Sequence, residues 1–579
     1  MGGTGIRSGR FGFDRLAVRL ALLATRRAPV AGGFVAQPEP RSIGTLPRGR
    51  QLVEGTVLVA GHLAEIGDGS IWDVAVPDRA FAEEIHGFAW LDDLAALGTR
   101  EARARAQAWT WDWIARYGAG RGPGWTPDLT GRRIIRWIHQ ATLLLAARAP
   151  SEAEAFYRAL SRQAGFLARR WQAAARGLPR FEALTGLVYA GISLIGMEAL
   201  RDPAAEALAA ACHDDIDVEG GIPSRNPEEL LEVLTLLTWS ASAMTEAGLT
   251  VPQPVQEAIQ RIASALRTLR HADGELARFH GGGRGAEGRL DQALAAAGGR
   301  GEKPPAIAMG YARLAGGRTT VIVDAAMPPG GPAAETAHAS TAAFELTSGR
   351  RPVVVNCGSG LTFGPMWRLA ARATECHSVL AMDRVSSSRL YPTGEALEHR
   401  ATVTASRMTT GSEGTDLYLA HDGWLRTHGL TASRSLTLSH DGRRLSGVEA
   451  LTALKADARK RFEDVMTASA MQAGRFAVRF HLHPDVEATL DTGGAAVSLA
   501  LRSGEIWIFR FAGPAELSLD PSAYLEKGRL HPRPSLQIVL RGQARGFETR
   551  LGWTLAKAKD TPLAIRDLEA DEPEDPLAE

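Results

Sequence analysis

The sequence predicts two folded parts of different class, an incomplete α/α toroid over residues 51–300 and an antiparallel β-sandwich over residues 305–560. Three observations predict this. From about Phe81 to Ala297 the apolar residues recur at helical spacing, and beyond a Gly-rich, Lys-containing link at 298–306 they alternate with period two. The punctuation changes with the period, from Gly/Pro loops to Asp-Gly and Gly-Gly turns. A chain of 579 residues is in any case too long for a single hydrophobic core.

The first fifty residues form a basic leader, with nine Arg against Asp14 and Glu39. Its apolar run, Leu20 to Ala24 between Arg19 and Arg26, is shorter than the roughly 7–15 residues of a secretory signal core. The leader reads as a loosely ordered cationic segment, or as a surface-lying amphipathic anchor using Phe11, Phe13, Leu16 and Leu20. In the helical part, RRIIRWIHQATLLLAARA (132–149) places Ile134, Trp137, Ile138, Ala141 and Leu145 on one stripe. Eight of the thirteen Trp lie between Trp90 and Trp239, which supplies the bulk that a helical core needs. Loops at 118–128, 177–179, 220–227 and 281–284 separate the helices, and repeated helix pairs of this kind suit a toroid with a cleft at one end.

In the β part, FAVRFHLH (476–483) sets Phe476, Val478, Phe480 and Leu482 on one face and Ala477, Arg479, His481 and His483 on the other. Turns at 422–423, 441–442 and 493–494 separate such runs as hairpins require. The last thirteen residues hold seven acids and no base, so 561–579 reads as a solvated acidic tail.

With 45% hydrophobic and 23% charged residues and a net charge of +1, the composition is that of a soluble globular protein and argues against nucleic acid as the main partner. No segment reaches the roughly 18 apolar residues of a membrane span. Three cysteines, Cys212, Cys357 and Cys376, do not make a disulfide framework and suggest a reducing compartment. Cytoplasm is the expectation in the absence of a clear signal peptide.

The chemistry-bearing residues concentrate between Ala337 and Leu390, in AHAST (337–341), FELTSGRRPVVVNCGSG (344–360) and WRLAARATECHSVLAMDRVSSSRL (367–390). His338 and His377 flank a buried-looking strand that ends in Asn356 and Cys357, so both imidazoles can meet at one point. This pattern resembles the C-terminal half of the heparinase II/III family of bacterial polysaccharide lyases. WTPDLTGRRIIRW (125–137), ARFHGGGRG (277–285), the segment 420–451 and RFHLHPDV (479–486) resemble further parts of that family in the same order. The resemblance implies a toroid followed by a β-sandwich, the division that the change of period reaches independently. It also implies a zinc ion held by His338 and His377, with Asn356 standing where the family has an acid; a neutral amide is a poorer zinc ligand than a carboxylate.

Lyases of this family cleave a uronate-containing, anionic polysaccharide by β-elimination. A polar group neutralises the uronate carboxylate, a base removes the C5 proton, and an acid protonates the leaving glycosidic oxygen. The chain departs from the family's pattern at each of these places. Gly177-Leu178-Pro179-Arg180 replaces the Gly-Asn-His loop, GGIPSRNPEEL (220–230) replaces the tyrosine loop with Glu229 near the tyrosine's place, and Thr336 stands where the catalytic His is expected.

A substitute set is Arg225, Asn226 or Arg180 as carboxylate neutraliser, His280 or His377 as base and Tyr391 as acid. Arg180, Arg372 and Trp137 are the substrate-binding candidates. Asn226 has a competing structural reading, because Asn-Pro-Glu-Glu is also an N-cap followed by Pro at the first helical position. His481 and His483 read as part of a polar sheet face.

Two functions follow from the resemblance and its departures. One is a carbon–oxygen lyase acting on an anionic polysaccharide, in the cell envelope or periplasm if the family's function holds. The other is a non-catalytic glycan-binding or envelope-biogenesis protein that kept the scaffold and lost the catalytic Asn, Tyr and His.

Overall fold

The structure is a computed structural model that describes residues 16–25, 29–35, 39–299, 304–391, 396–559, 561 and 567. It divides into two compact units, residues 1–217 with 232–260 and residues 218–231 with 261–579. The change from helix to strand falls between Ala297 and Ile307, where the sequence changes period. The architecture is therefore an N-terminal helical, toroid-like region followed by an antiparallel β region, as expected.

The first unit is built from helices that include Arg79–His86, Ala89–Leu97, Arg100–Tyr117, Pro127–His139, Pro150–Arg170, Leu178–Ser193 and Arg201–Asp215. Their shared core is aromatic. Phe88 packs on Trp90 with ring centroids 4.6 Å apart, Trp113 meets Trp137 edge-on at 5.5 Å, and Trp137 stacks on Phe156 at 5.2 Å. Two helices approach closely because they meet through glycine: a Cβ on Gly131 would lie 2.1 Å from the Glu182 carbonyl oxygen, and one on Gly186 would lie 2.5 Å from the Gly131 Cα.

The expected single helix over 132–149 is two, Pro127–His139 and Ala141–Leu145. The break comes at Gln140, whose φ of −99° and ψ of 17° leave the helical region and whose side-chain amide donates to the Asp92 carboxylate at 3.3 Å. The stripe shifts accordingly, so that Leu144 is fully buried and Leu145 only half-buried. Part of the basic leader is also ordered. Residues 16–25 are helical, with Ala21, Leu22 and Thr25 buried and Leu16, Leu20 and Leu23 exposed. Phe11 and Phe13 lie outside the described residues.

The second unit holds two antiparallel sheets. In one, the strand order is Ala515–Tyr524, Arg533–Gln543, Arg475–Leu482, Arg351–Val355, Phe344–Ser348, Thr319–Asp324, Tyr311–Gly316 and Ile307–Ala308, with Leu380–Met382 also paired to Arg475–Leu482. In the other it is Val403–Thr410, Gly414–Trp424, Leu430–Ser439, Arg444–Thr452, Glu548–Lys557, Ile506–Ala512, Ala496–Ala500 and Glu487–Leu490. Side chains of the two sheets meet in an aromatic core, where Trp553 packs on Phe344 at 5.8 Å and on Phe480 at 4.8 Å. A buried ion pair also lies between neighbouring strands of the second sheet. The Arg434 guanidinium donates to Glu449 at 2.8 Å and to the carbonyls of Ala342 and Ser378, which ties one sheet to the loops that carry the histidines.

Two of the three expected hairpin turns form, with Gly442 and Gly494 at positive φ. At 422–423 the strand Gly414–Trp424 instead runs on into the short helix Leu425–His428, and a Cβ on Gly423 would lie 2.8 Å from the Ser387 carbonyl oxygen. The His481 and His483 face is buried rather than solvated, at 3% and 5% exposure. His481 Nε2 donates to the Glu375 carbonyl oxygen at 2.9 Å, a contact that period-two alternation does not register. Of residues 561–579 only Thr561 and Asp567 are described, and the Asp567 carboxylate accepts two bonds from Arg351 at 2.7 and 2.8 Å.

Candidate functional site

The strand Thr319–Asp324 is buried throughout and carries one charged residue, its last, and that acid is the hub of the site. Asp324 is fully buried. Its Oδ1 accepts from the Arg225 guanidinium at 2.6 Å, and its Oδ2 accepts from the Ser340 hydroxyl at 2.7 Å and lies 3.6 Å from His280 Nε2. Arg225 donates further to the carbonyls of Met309 (3.0 Å), Gly310 (3.0 Å) and Met327 (2.9 Å). The fork is thus filled by partners of the protein itself. The Tyr311 hydroxyl donates to the Arg225 carbonyl at 2.6 Å, and its ring lies under the guanidinium at 4.7 Å.

A chain of imidazoles continues from this hub. His280 Nδ1 accepts from the His338 backbone N–H at 3.1 Å, which places its own proton on Nε2. His338 Nδ1 lies 3.1 Å from His377 Nε2, and His377 Nδ1 lies 2.8 Å from the Ala373 carbonyl oxygen. The carbonyl can only accept, so His377 carries its proton on Nδ1 and its Nε2 accepts from His338. All three rings are buried, at 0%, 4% and 2% exposure. Burial, reinforced by Arg225, holds His280 well below the usual imidazole range; burial and His377 do the same for His338. Burial brings His377 down to about 4. Each ring is therefore neutral at physiological pH.

The remaining candidates take structural positions. Asn226 Oδ1 accepts from the backbone N–H groups of Glu228 (3.0 Å) and Glu229 (3.3 Å), so it caps the helix Pro227–Glu246. A Cβ on Gly282 would lie 2.3 Å from that same oxygen, which explains the glycine at that position. Arg372 donates to the carbonyls of Ala334 and Ala337, both at 2.8 Å, and so holds the segment leading to His338. Asn356 Oδ1 accepts from the Ser378 N–H at 3.0 Å, and its Nδ2 donates to the buried Glu345 at 3.4 Å.

Trp137 sits in the aromatic core of the helical unit at 0% exposure, which leaves no face of the indole for a sugar ring. In the same unit Arg180 faces Asp215 at 3.5 Å, and Asp215 also accepts from the Gly177 N–H at 3.1 Å. Tyr391 is 47% exposed, and among the described residues no hydrogen bond joins it to the imidazoles.

The second unit thus brings together Arg225, His280, His338 and His377, with Asn226, Arg372 and Asn356 beside them; Arg180 and Trp137 belong to the first unit, and Tyr391 is not bonded to the cluster among the described residues. Sequence reasoning missed Asp324, Ser340 and Tyr311. The signal for Asp324 was present, since a lone acid closing the run TTVIV is costly to bury unless it is paired.

Two imidazole nitrogens at 3.1 Å can share a proton or a cation, but the donor set falls short of a tetrahedral zinc site. The Asn356 oxygen is taken by a backbone N–H, and among the described residues no group of three His, Cys, Asp or Glu is arranged to hold a metal ion. The backbone is strained at the same place. Arg225, His280, Met309 and Ala342 all have positive φ, 51°, 48°, 49° and 68°. Such strain costs of order 1–3 kcal/mol per residue and persists only where surrounding bonds over-determine it.

Comparison with known proteins places this arrangement. Residues 299–554 match the family described as heparinase II/III-like, C-terminal. Across 546 residues, 92% of this chain and 91% of the relative, the sequence is 32% identical to FtsZ-localized protein C of Caulobacter vibrioides. Among solved structures, the fold is similar to heparinase III at a TM-score of 0.69 and 13% identity, over 97% of this chain and 93% of that one. It is also similar to a mutant of heparan sulfate lyase HepC from Pedobacter heparinus, at a TM-score of 0.58 and 14% identity, over 96% and 91%. With a relative matched along nearly its whole length and its β region matched to the family itself, the chain belongs to the heparinase II/III-like family.

Proposed function

We propose that this chain is a non-catalytic member of the family that serves at the cell envelope as a glycan-binding or division-associated scaffold. One observation carries the reading. Of the groups offered as replacements for the missing catalytic Asn, Tyr and His, Arg225, Asn226, His280 and His377 form a buried network whose hydrogen bonds are made within the protein. A base for β-elimination must reach the C5 proton, directly or through one water. His280 at 0% exposure, with Nδ1 occupied by the His338 N–H, has no lone pair to offer. A carboxylate neutraliser needs free donors, and those of Arg225 are spent on Asp324 and three carbonyls. Fold likeness to lyases does not restore a reaction whose groups have changed.

The whole-length relative bears FtsZ in its name, which supports a role beside FtsZ for this chain as well. Envelope association has a second support in the helix at 16–25. Leu16, Leu20 and Leu23 recur at i, i+4 and i+7 and are 53%, 57% and 52% exposed, with Arg19 also exposed on that helix. Its other face is buried, so the exposed stripe has the form of an interfacial helix. Among the described residues no helix is long and apolar enough to cross a membrane.

The test has two arms. Purified protein incubated with a panel of uronate polymers is expected to produce no ultraviolet-absorbing unsaturated uronate, while sedimentation with FtsZ polymers is expected to carry the protein into the pellet. Absorbance that grows with time and enzyme concentration on any polymer would return the lyase reading, with the particular polymer as its substrate. Failure to sediment with FtsZ, together with no binding to any glycan, would remove the scaffold role.

A further inference from the structure

The strand Arg351–Val355 and the segment entering His377 are joined at a neck made by two cysteines. The Cys357 backbone N–H donates to the Cys376 carbonyl at 3.0 Å. A backbone bond between neighbouring segments of this kind brings two Cα atoms to about 5–6 Å, inside the roughly 4.4–6.8 Å span of a disulfide. The Cys357 and Cys376 thiols are each other's leading electrostatic neighbour. Both are free, Cys357 buried and Cys376 partly exposed, whereas Cys212 is buried in the helical unit.

The surroundings of Cys357 suit thiol chemistry. Its Sγ lies 3.5 Å from His481 Nδ1. His481 Nε2 faces the Glu375 carbonyl oxygen at 2.9 Å, and a carbonyl can only accept, so the ring proton is on Nε2 and Nδ1 presents a lone pair. That lone pair accepts from Ser522 at 2.8 Å and is in reach of the thiol proton.

From this geometry we propose that Cys357 and Cys376 are a redox-active pair that small-molecule disulfides oxidise to a reversible intramolecular disulfide. The Cys376 sulfur, the more exposed, attacks one sulfur of the small disulfide. Its S–S bond breaks, one small thiol leaves, and a mixed disulfide remains on Cys376. The Cys357 sulfur then attacks the Cys376 sulfur, forming the protein S–S bond and expelling the second small thiol. Two electrons pass from the protein dithiol to the oxidant, and the two thiol protons leave on the two small thiols, with His481 Nδ1 relaying the one from Cys357. An excess of small thiol reverses both steps.

The bond would close the excursion between the two cysteines, which carries the helix Pro365–Ala370 with Met366 78% and Leu369 45% exposed. It would also fix the residues on which the imidazole chain depends, because Asn356 precedes Cys357 and His377 follows Cys376. The proposal is independent of the function argued above, since it rests on neither glycan nor FtsZ binding.

The test uses the full chain with 2-hydroxyethyl disulfide as oxidant. Titration after denaturation is expected to fall from three free thiols to one, and mass mapping is expected to find residues 357 and 376 in one cross-linked peptide. The melting temperature is expected to rise by about 3–6 °C, as closing a loop of this length does in a large unit, and to return on reduction. Cys212→Ala should lower the thiol count by one throughout, from two to none on oxidation, and leave the cross-linked peptide and the melting shift unchanged. Mixed disulfides that persist on Cys376 without resolving, or a cross-link to Cys212 instead, would overturn the proposal. Cys357→Ser should hold a mixed disulfide on Cys376 and form no cross-link; should it not fold, the wild-type mass map decides the matter alone.

Discussion

Replacing Arg225 with Met separates a structural latch from a ligand clamp. The side chain is 12% exposed and its partner Asp324 is 0% exposed, so the substitution leaves a carboxylate buried without its countercharge. Breaking one half of a buried pair costs about 3–5 kcal/mol. The carbonyls of Met309, Gly310 and Met327 also lose a donor, but the opening left by the shorter side chain admits water, so they add little. For a unit this large, about 2 °C of melting temperature is lost per kcal/mol, which gives a fall of about 6–10 °C. The assay is thermal unfolding of wild type, Arg225→Met, Arg225→Lys and the double variant Arg225→Met/Asp324→Leu. Lysine should fall between wild type and Met, because a point charge cannot reproduce the fork. The double variant should recover part of the loss, since removing both charges costs less than stranding one. A change below about 2 °C in Arg225→Met, combined with lost binding to an anionic polymer, would refute the latch and return Arg225 to the role of carboxylate clamp.

Three further outcomes are expected. For His377 the folded value of about 4 lies below the unfolded value near 6.5, so the unfolded chain takes up a proton first. Stability should therefore be complete above about pH 6.5 and decline as pH falls toward 4, by up to about 1.4 kcal/mol per pH unit for each such histidine, with His280 and His338 acting in the same direction. Denaturant unfolding between pH 7.5 and 5 measures this, and His377→Gln should reduce the slope by about one proton; an unchanged slope would contradict the assigned neutral state. Metal analysis of purified protein should find zinc far below one equivalent, because Asn356 is already bonded to Ser378; stoichiometric zinc that disappears in His338→Ala would show a ligand set beyond the two imidazoles. Sedimentation with anionic phospholipid vesicles should fall at least tenfold in Leu16→Glu/Leu20→Glu with no change in melting temperature, since both side chains are more than half exposed. Equal pelleting of the two proteins would rule out that helix as the contact.

Much of the fold was legible because it depends on short-range pattern. The switch from a period of 3.6 to a period of 2 locates the change from helix to strand, and 441–442 and 493–494 carry local turn chemistry. Gln140 shows where such reading fails. Nothing in its neighbours marks a break, and the residue it reaches, Asp92, lies far away in sequence. His481 fails for a similar reason: alternation assigns it to a face, but the carbonyl of Glu375 that covers it comes from another part of the chain.

The site divides along the same line. The sequence by itself determined the family and the pairing of His338 with His377, because motif order and spacing along a sheet survive in the linear chain. It also raised the expectation that the family's usual catalytic Asn, Tyr and His are absent. Only the tertiary structure decided that Arg225 is bound by Asp324, that Asn226 caps a helix, and that His280 accepts a backbone N–H. The physical reason is that a polar side chain's role depends on whether its donors and acceptors remain free. That accounting is completed by long-range contacts, here between residues 225 and 324 and between 280 and 338, which no local pattern encodes.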